Sequence, residues 1–471
     1  MSNNQLPDVL NVKPLPSIQT MNVDTNILDP IVVNQSLARF VLEKKGILDV
    51  GSSFTFSLVC DAGAVDKCFL PIRTGVHSVV KRAILRIGTK IIATSDDYPY
   101  YQTMKRMFKT NEERFQKDSV KHGTADVVQP DNQGTGFYQL KSAVYSDATT
   151  ALADPALRIT NSELECPIFQ IKISELFPMM RNIQLPLYLI NEPVSIEISF
   201  NQQPNGTSGV LANFESGYAN STAVTIGLSN VKFLADYLTY EDERMDATAK
   251  LVMSENGLVM PYEDLVLTSA NIPASNPAPA GDSVIIQNIT RDLGLSGRNV
   301  RSILCHDHKN GNNALAGQYS SDAYNVADEY NFRINDKLVY SRNVVNEARK
   351  QDQLSQVFGT NINVSVPEYS LDALTNKQVG NQPVNNQVFS NNTYYGNSNR
   401  TLNGTAHFEG VDLTTSPLNV TGSGQLVGQK PVESIKVIKR TAQNNDSREL
   451  RYFSLVERMM SIKNGQVFVS A

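Results

Sequence analysis

The sequence predicts an all-β chain of two consecutive sandwich domains. Three observations carry this reading. Apolar and polar residues alternate over short runs, long Gly-, Asn-, Pro- and Ser-rich loops separate the runs, and one strand–turn–strand–helix unit occurs twice, half a chain apart. The 471 residues fit two domains of roughly 200 residues each. Hydrophobic residues make up 41% and charged residues 19%, enough apolar material for two cores and too much for global disorder. The net charge of −5 argues against a folded body that grips nucleic acid over a wide surface, which would be basic.

Taken in order, residues 1–35 are polar and punctuated by proline. They read as an extended arm, either a disordered tail or a strap reaching a neighbouring subunit. Residues 36–240 form the first domain. Phe54, Phe56 and Leu58 alternate with polar residues, as do Phe169, Ile171 and Ile173. The cleanest run is Val194, Ile196, Ile198 and Phe200, separated by Ser195, Glu197 and Ser199, which places one face on a core. Arg86 to Ile92 reads as strand, Gly88-Thr89 turn and strand. A helix follows, with Tyr100, Met104, Met107 and Phe108 on one side. Asp96-Asp97 stands before it as an expected N-cap. A strand near Val231 to Tyr240 closes the domain.

The charged residues 241–250, beginning Glu241-Asp242-Glu243, read as a solvated linker, and residues 251–471 as the second domain. There Arg333 to Val339 repeats the strand–turn–strand pattern around Asn335-Asp336. A second helix carries Val344, Ala348, Leu354 and Phe358, with Gly359 as its stop. Strands over 449–462 and 466–469 end the chain. The polar stretches 118–150 and 372–400 read as exposed insertions, or as disorder.

Sites for chemistry are scarce. Cys60, Cys68, Cys166 and Cys305 match no zinc spacing and read as reduced thiols. Gly422 to Gly428 departs from dinucleotide spacing, and Pro431 follows it where a helix would be needed, so it reads as tight turns. Cys305-His306-Asp307-His308 is the densest set of metal-ligand types. On a strand it would put Cys305 and Asp307 on one side and the two histidines on the other, and a His-x-His pair needs further ligands. Only five histidines occur in all. No carboxylate pair stands out for glycan cleavage. Lys436 to Arg440 mixes charge with apolar residues, as an edge or interface strand would, and is the one candidate to face DNA. The sequons at Asn205, Asn220, Asn363, Asn403 and Asn419 read as by-products of an Asn-rich sequence. The start of the chain has no basic region followed by an apolar one, so no secretory signal is read there and synthesis in the cytoplasm is expected. We therefore expect no catalytic, cofactor-binding or metal-binding residues, no cofactor and no enzymatic activity.

The stretch Ser174 to Ile198 runs from a strand end through a short helix to Leu185-Pro186-Leu187 and then into the alternating strand. It resembles the helical excursion between two strands in the double jelly-roll major capsid proteins of eukaryotic DNA viruses, the virophage, polinton-like and nucleocytoplasmic large DNA virus types. The unit from Arg86 to Phe108 and the final Asn464-Gly465-Gln466-Val467 hairpin also look like that family, while Ile168-Phe169-Gln170-Ile171 is a weak match to its aromatic-rich strand. The resemblance covers the chain in outline and sharply only over a few tens of residues. It implies two eight-stranded jelly rolls with a few short helices in the connections. It implies a major capsid protein that forms homotrimeric pseudo-hexagonal capsomers, tiles an icosahedral shell and resides in the virion. The partners it implies are further copies of this chain, penton and minor or cement proteins, and an internal membrane or packaged DNA beneath the inner face; no small-molecule substrate is implied. The alternative is a viral receptor- or carbohydrate-binding β-sandwich of fibre or lectin type. The absence of tryptophan, the usual sugar platform, counts against it.

Overall fold

The computed structural model describes the chain from 21 to 470, apart from residues 35, 62–67, 72–73, 107–108, 110–116, 123–136, 140–167, 182, 202–211, 214–224, 241, 254–256, 311–326, 346, 359–407, 415–423 and 443–444. Eight strands build the first domain: β1 (Met21–Leu28), β2 (Leu37–Val41), β3 (Ser53–Asp61), β4 (Val80–Ile87), β5 (Lys90–Ser95), β6 (Ile168–Lys172), β7 (Val194–Phe200) and β8 (Thr225–Tyr240). They form the main paths of two sheets, β1-β8-β3-β6 and β2-β7-β4-β5, with short strands added at Val32–Val33 and Ile47–Leu48 and in a small third sheet. Apart from the β4–β5 hairpin, successive strands fall in opposite sheets, which is the jelly-roll winding. The second domain repeats it. β9 (Leu258–Ile272), β10 (Ile285–Asp292), β11 (Asn299–Lys309), β12 (Glu329–Ile334), β13 (Lys337–Leu338), β14 (Glu409–Asp412), β15 (Glu433–Arg440) and β16 (Arg448–Lys463) pair as β9-β16-β11-β14 and β10-β15-β12-β13. The fold is two consecutive eight-stranded jelly rolls.

The repeated unit occupies the same place in both barrels. β4 and β5 meet with Ile87 opposite Lys90, and α1 (Tyr98–Arg106) follows. β12 and β13 meet with Ile334 opposite Lys337. Asn335 and Asp336, at φ 51° and 64°, supply the left-handed pair that a two-residue hairpin needs. The second helix of the repeat, Glu347–Phe358, comes next. The helical excursion lies between β6 and β7, where α2 (Ser119–His122) of the preceding insertion also packs. It consists of α3 (Ile173–Leu176) and 3₁₀ turns at Pro178–Arg181 and Leu187–Leu189, with Met179, Met180 and Leu187 buried.

Alternation sends the aromatic residues of both sheets into one core. In the first barrel Phe54 lies 5.9 Å from Phe40, 4.8 Å from Phe56 and 6.2 Å from Phe200, between ring centroids. Phe233 and Phe169 extend the same cluster. Val194, Ile196, Ile198 and Phe200 face inward, as their spacing predicts. On the opposite face of β7, Glu197 holds Arg86 at 3.1 Å and Arg39 at 3.6 Å. The second core gathers Val300, Ile303, Tyr330, Phe332, Ile438 and Tyr452.

Two boundaries differ from the sequence reading. Residues 21–28 are not part of a free arm; they are β1, paired along its length with β8 from Met21↔Tyr240 to Leu28↔Phe233. Met21, Val23 and Ile27 are exposed on this edge strand, so its apolar residues do not mark a core-facing side. The linker is helical: Asp242–Val252 forms α4, and Val252 is buried in the first core. Glu243, Asp246 and Lys250 on it are exposed, which is why the segment reads as solvated. The insertion 372–400 and all five sequons lie outside the described residues, as does most of 118–150.

Candidate functional site

The residues singled out in the sequence converge on two places in the second barrel: its core and the seam with the first. β11 carries Cys305-His306-Asp307-His308, and its alternation is the expected one. Cys305 points into the second core, where burial pushes its thiol pKa up and leaves it inert. Asp307 also points inward. His306 and His308 point outward against α1 of the first barrel, with ring centroids 4.8 and 6.0 Å from Tyr100. Phe408 closes the other side of His306 at 5.8 Å. The two histidines are seam residues in an aromatic setting. Among the described residues they are not brought together with the further ligands a metal would need.

Around this contact Tyr101 and Met104 of α1 pack with Leu265, Leu304, Leu354, Phe408 and Phe453 of the second domain. The expected N-cap role of Asp96-Asp97 gives way to ion pairing. Asp96 binds Arg82 at 2.6 Å, and Asp97, at φ 45°, binds Arg451 at 3.0 Å across the seam. The Arg451 guanidinium also stacks 4.1 Å over the Tyr100 ring. Further along, the Tyr262 hydroxyl donates to the Ile92 carbonyl at 2.9 Å, and Lys90 Nζ to that of Val467 at 2.7 Å. The β16–β17 hairpin, with β17 at Gln466–Ser470, turns at Asn464-Gly465, and the Asn191 amide donates to the Gly465 carbonyl at 2.9 Å. Tyr262, Met460, Ile462 and Val467 join the first core. Two apolar clusters, the first core and the one around Tyr101 and Phe453, therefore contain residues of both barrels and join them.

Lys436 to Arg440 is not an edge strand. It belongs to β15, which lies between β10 and β12 in its sheet, and alternation buries Lys436, Ile438 and Arg440. Lys436 Nζ reaches across the sandwich to Asp307 at 2.7 Å and Glu409 at 3.1 Å. Arg448 joins Asp307 at 3.1 Å to Asp328 at 2.7 Å. Burial alone would push the Asp307 carboxyl up; the Lys436 and Arg448 charges override it and hold the group below its ordinary range. The same carboxylates hold the Lys436 ammonium charged despite its burial. Arg440 donates to the carbonyls of Asp446 and Pro273. Lys436 and Arg440 thus face the barrel interior, while Lys439 lies on the outer face and pairs with Glu329 at 3.2 Å.

The Gly422 to Gly428 loop, where described, is a turn: Gly424 packs on Val300, and the Gly428 amide donates to Asn335 Oδ1 at 2.7 Å. Gln425–Leu426 between them pairs with β11. Glu241 and Cys166 lie outside the described residues. Sequence reasoning missed one group. His77, His122 and Glu175 place ligand atoms within 4.8 Å of one another, the single such cluster of three among the described residues. They are 45 or more positions apart in pairs and share no motif spacing, so only the fold unites them. No described helix is long and apolar enough to cross a membrane.

No family model matches the chain, and no curated protein matches it. Solved structures do. VP54 of PBCV-1, as fitted into a reconstruction of the virophage Sputnik, aligns at a TM-score of 0.56 and 10% identity over 98% of each chain. The Sputnik virophage structure aligns at 0.54 and 10% identity over all of this chain and 93% of the other. The Faustovirus major capsid protein aligns at 0.53 and 9% identity over 98% and 93%. At 9–10% identity the likeness is one of fold, and the alignments cover both barrels. The fold of the described residues is a double jelly roll, the fold shared with these viral structures, the Faustovirus major capsid protein among them.

Proposed function

We propose that this chain is the major capsid protein of a eukaryotic DNA virus, a structural subunit and not an enzyme. The observation that carries the proposal is that two jelly rolls are joined by apolar clusters to which both contribute. Two upright barrels locked side by side make an elongated, stiff footprint. Three such footprints around a three-fold axis present six barrels, a pseudo-hexagonal block that tiles a facet, so one gene product covers a large shell. Exposed apolar side chains on the outer strands fit burial between copies: Met21, Val23 and Ile27 on β1, Val32 and Val33 paired to β2 at the edge of the other sheet, and Ile286 on β10. Penton and minor proteins, and a membrane or packaged DNA below the inner face, complete the expected surroundings in the virion.

Size-exclusion chromatography with light scattering tests the reading. Three copies of a 52.0 kDa chain give a particle of about 156 kDa. Electron microscopy of concentrated protein is expected to show hexagonal sheets or shells. A stable monomer that binds a glycan array would overturn the proposal in favour of a receptor-binding sandwich.

A further inference from the structure

We propose that His77, His122 and Glu175 form a binding site for a divalent transition-metal ion of the zinc class, which clips the insertion after α1 onto the first barrel. The three ligands come from separate segments. His77 lies in the 3₁₀ turn Gly75–Val79 before β4, His122 ends α2 at the start of the insertion, and Glu175 lies in α3 after β6. Both histidines are buried, at 4% and 1% exposure, and their ring centroids are 4.3 Å apart.

The orientation of each group favours a shared ion. His77 Nδ1 is 2.8 Å from the Tyr98 hydroxyl, which leaves Nε2 as the ligand nitrogen. His122 Nδ1 is 3.4 Å from Asp118 Oδ1, and its Nε2 is 3.3 Å from Glu175 Oε2. Each imidazole thus has an oxygen partner on its outer nitrogen, the arrangement that fixes metal-binding histidines. Neither His122 nitrogen makes a hydrogen bond of normal geometry, although the side chain is buried. The Lys172 amide donates to Glu175 Oε2 at 3.0 Å and orients the carboxylate. Lys109 neutralises Asp118 at 2.9 Å and lies 3.8 Å from Glu175 Oε1. Zinc bonds of about 2.0–2.1 Å in a tetrahedral site separate ligand atoms by about 3.4 Å. The His122–Glu175 pair already has that spacing, and the whole set, within 4.8 Å, needs to contract by at most about 1.4 Å. Two neutral imidazoles and one carboxylate are a zinc-type donor set, poor for calcium or magnesium.

The test uses the full-length protein, stripped with chelator and titrated with Co(II). One equivalent per chain should produce the visible bands of a tetrahedral site without thiolate charge transfer, and Zn(II) should displace it. Chelator should lower the unfolding temperature and Zn(II) restore it. H122Q and E175Q should abolish stoichiometric binding, and D118N, acting on the outer nitrogen of His122, should weaken it by about 10–100-fold. H306Q/H308Q should leave it unchanged. Absence of Co(II) bands in the wild type would overturn the site whatever the variants do. So would thiolate charge transfer, or binding that disappears only with His306 and His308. In either case the cluster is an ion-paired imidazolium held between Asp118 and Glu175.

Discussion

Replacing Lys436 with Met tests whether the polar cluster really spans the second barrel. The ammonium stands between Asp307 at 2.7 Å and Glu409 at 3.1 Å, and all three side chains are nearly inaccessible to water. Met keeps the length and volume of the stem, so the perturbation is the charge and not a cavity. Asp307 retains Arg448 at 3.1 Å, but Glu409 is left with Lys350 at 3.7 Å. Removing one partner of a buried pair costs about 3–5 kcal/mol, because the remaining charge is desolvated without compensation. At about 2–4 °C per kcal/mol for a domain of this size, the midpoint falls by on the order of 10 °C. The chain has no tryptophan, so urea unfolding is followed by tyrosine fluorescence and circular dichroism. A double-mutant cycle with D307N should give a coupling of about 0.5–3 kcal/mol. A cost below about 1 kcal/mol with no coupling, as for exposed pairs, would show that Lys436 faces water and that the sequence-based placement on an outer strand was right.

The same cluster sets an acid limb. The Asp307 carboxyl is depressed in the folded state, so its contribution is complete above the unfolded carboxylate range, about pH 4, and is lost as pH falls through its lower folded value; D307N should flatten that limb in pH-dependent urea midpoints. Deleting residues 1–28 removes β1 and should cost most of the soluble protein. F54A should cost about 3–5 kcal/mol in urea unfolding, since Phe54 touches aromatic partners from both sheets. G257A should cost at least about 1–2 kcal/mol, because Gly257 has φ +68° and its Cβ would meet the Ile462 carbonyl oxygen at 2.7 Å.

The legible parts of the fold were those encoded locally. Val194 to Phe200 announces its face by strict alternation, and Asn335-Asp336 and Asn464-Gly465 announce their turns by residue type. β1 was missed because its partner, β8, lies more than 200 positions away and its own outward face is apolar, which hides the period of two. Lys436 was misplaced for a related reason. A lysine in a strand is placed on the surface unless its counter-charges are known, and Asp307 and Glu409 come from two other strands.

The seam shows how this affects a functional reading. Asp96-Asp97 before a helix has a sufficient local explanation in capping, and His306-Asp307-His308 has one in metal chemistry. Both explanations fail because the groups are used across domains, Asp97 with Arg451 and His306 with Tyr100. A single barrel would leave Tyr101, Met104, Leu304 and Phe453 bare. Their burial against one another means that neither domain presents a complete surface alone. A hinge between domains would leave this seam polar and thin. Instead α1, itself the product of the repeated unit, inserts apolar and stacked aromatic side chains into the second barrel. The repeat thus supplies both the likeness of the two barrels and the element that locks them.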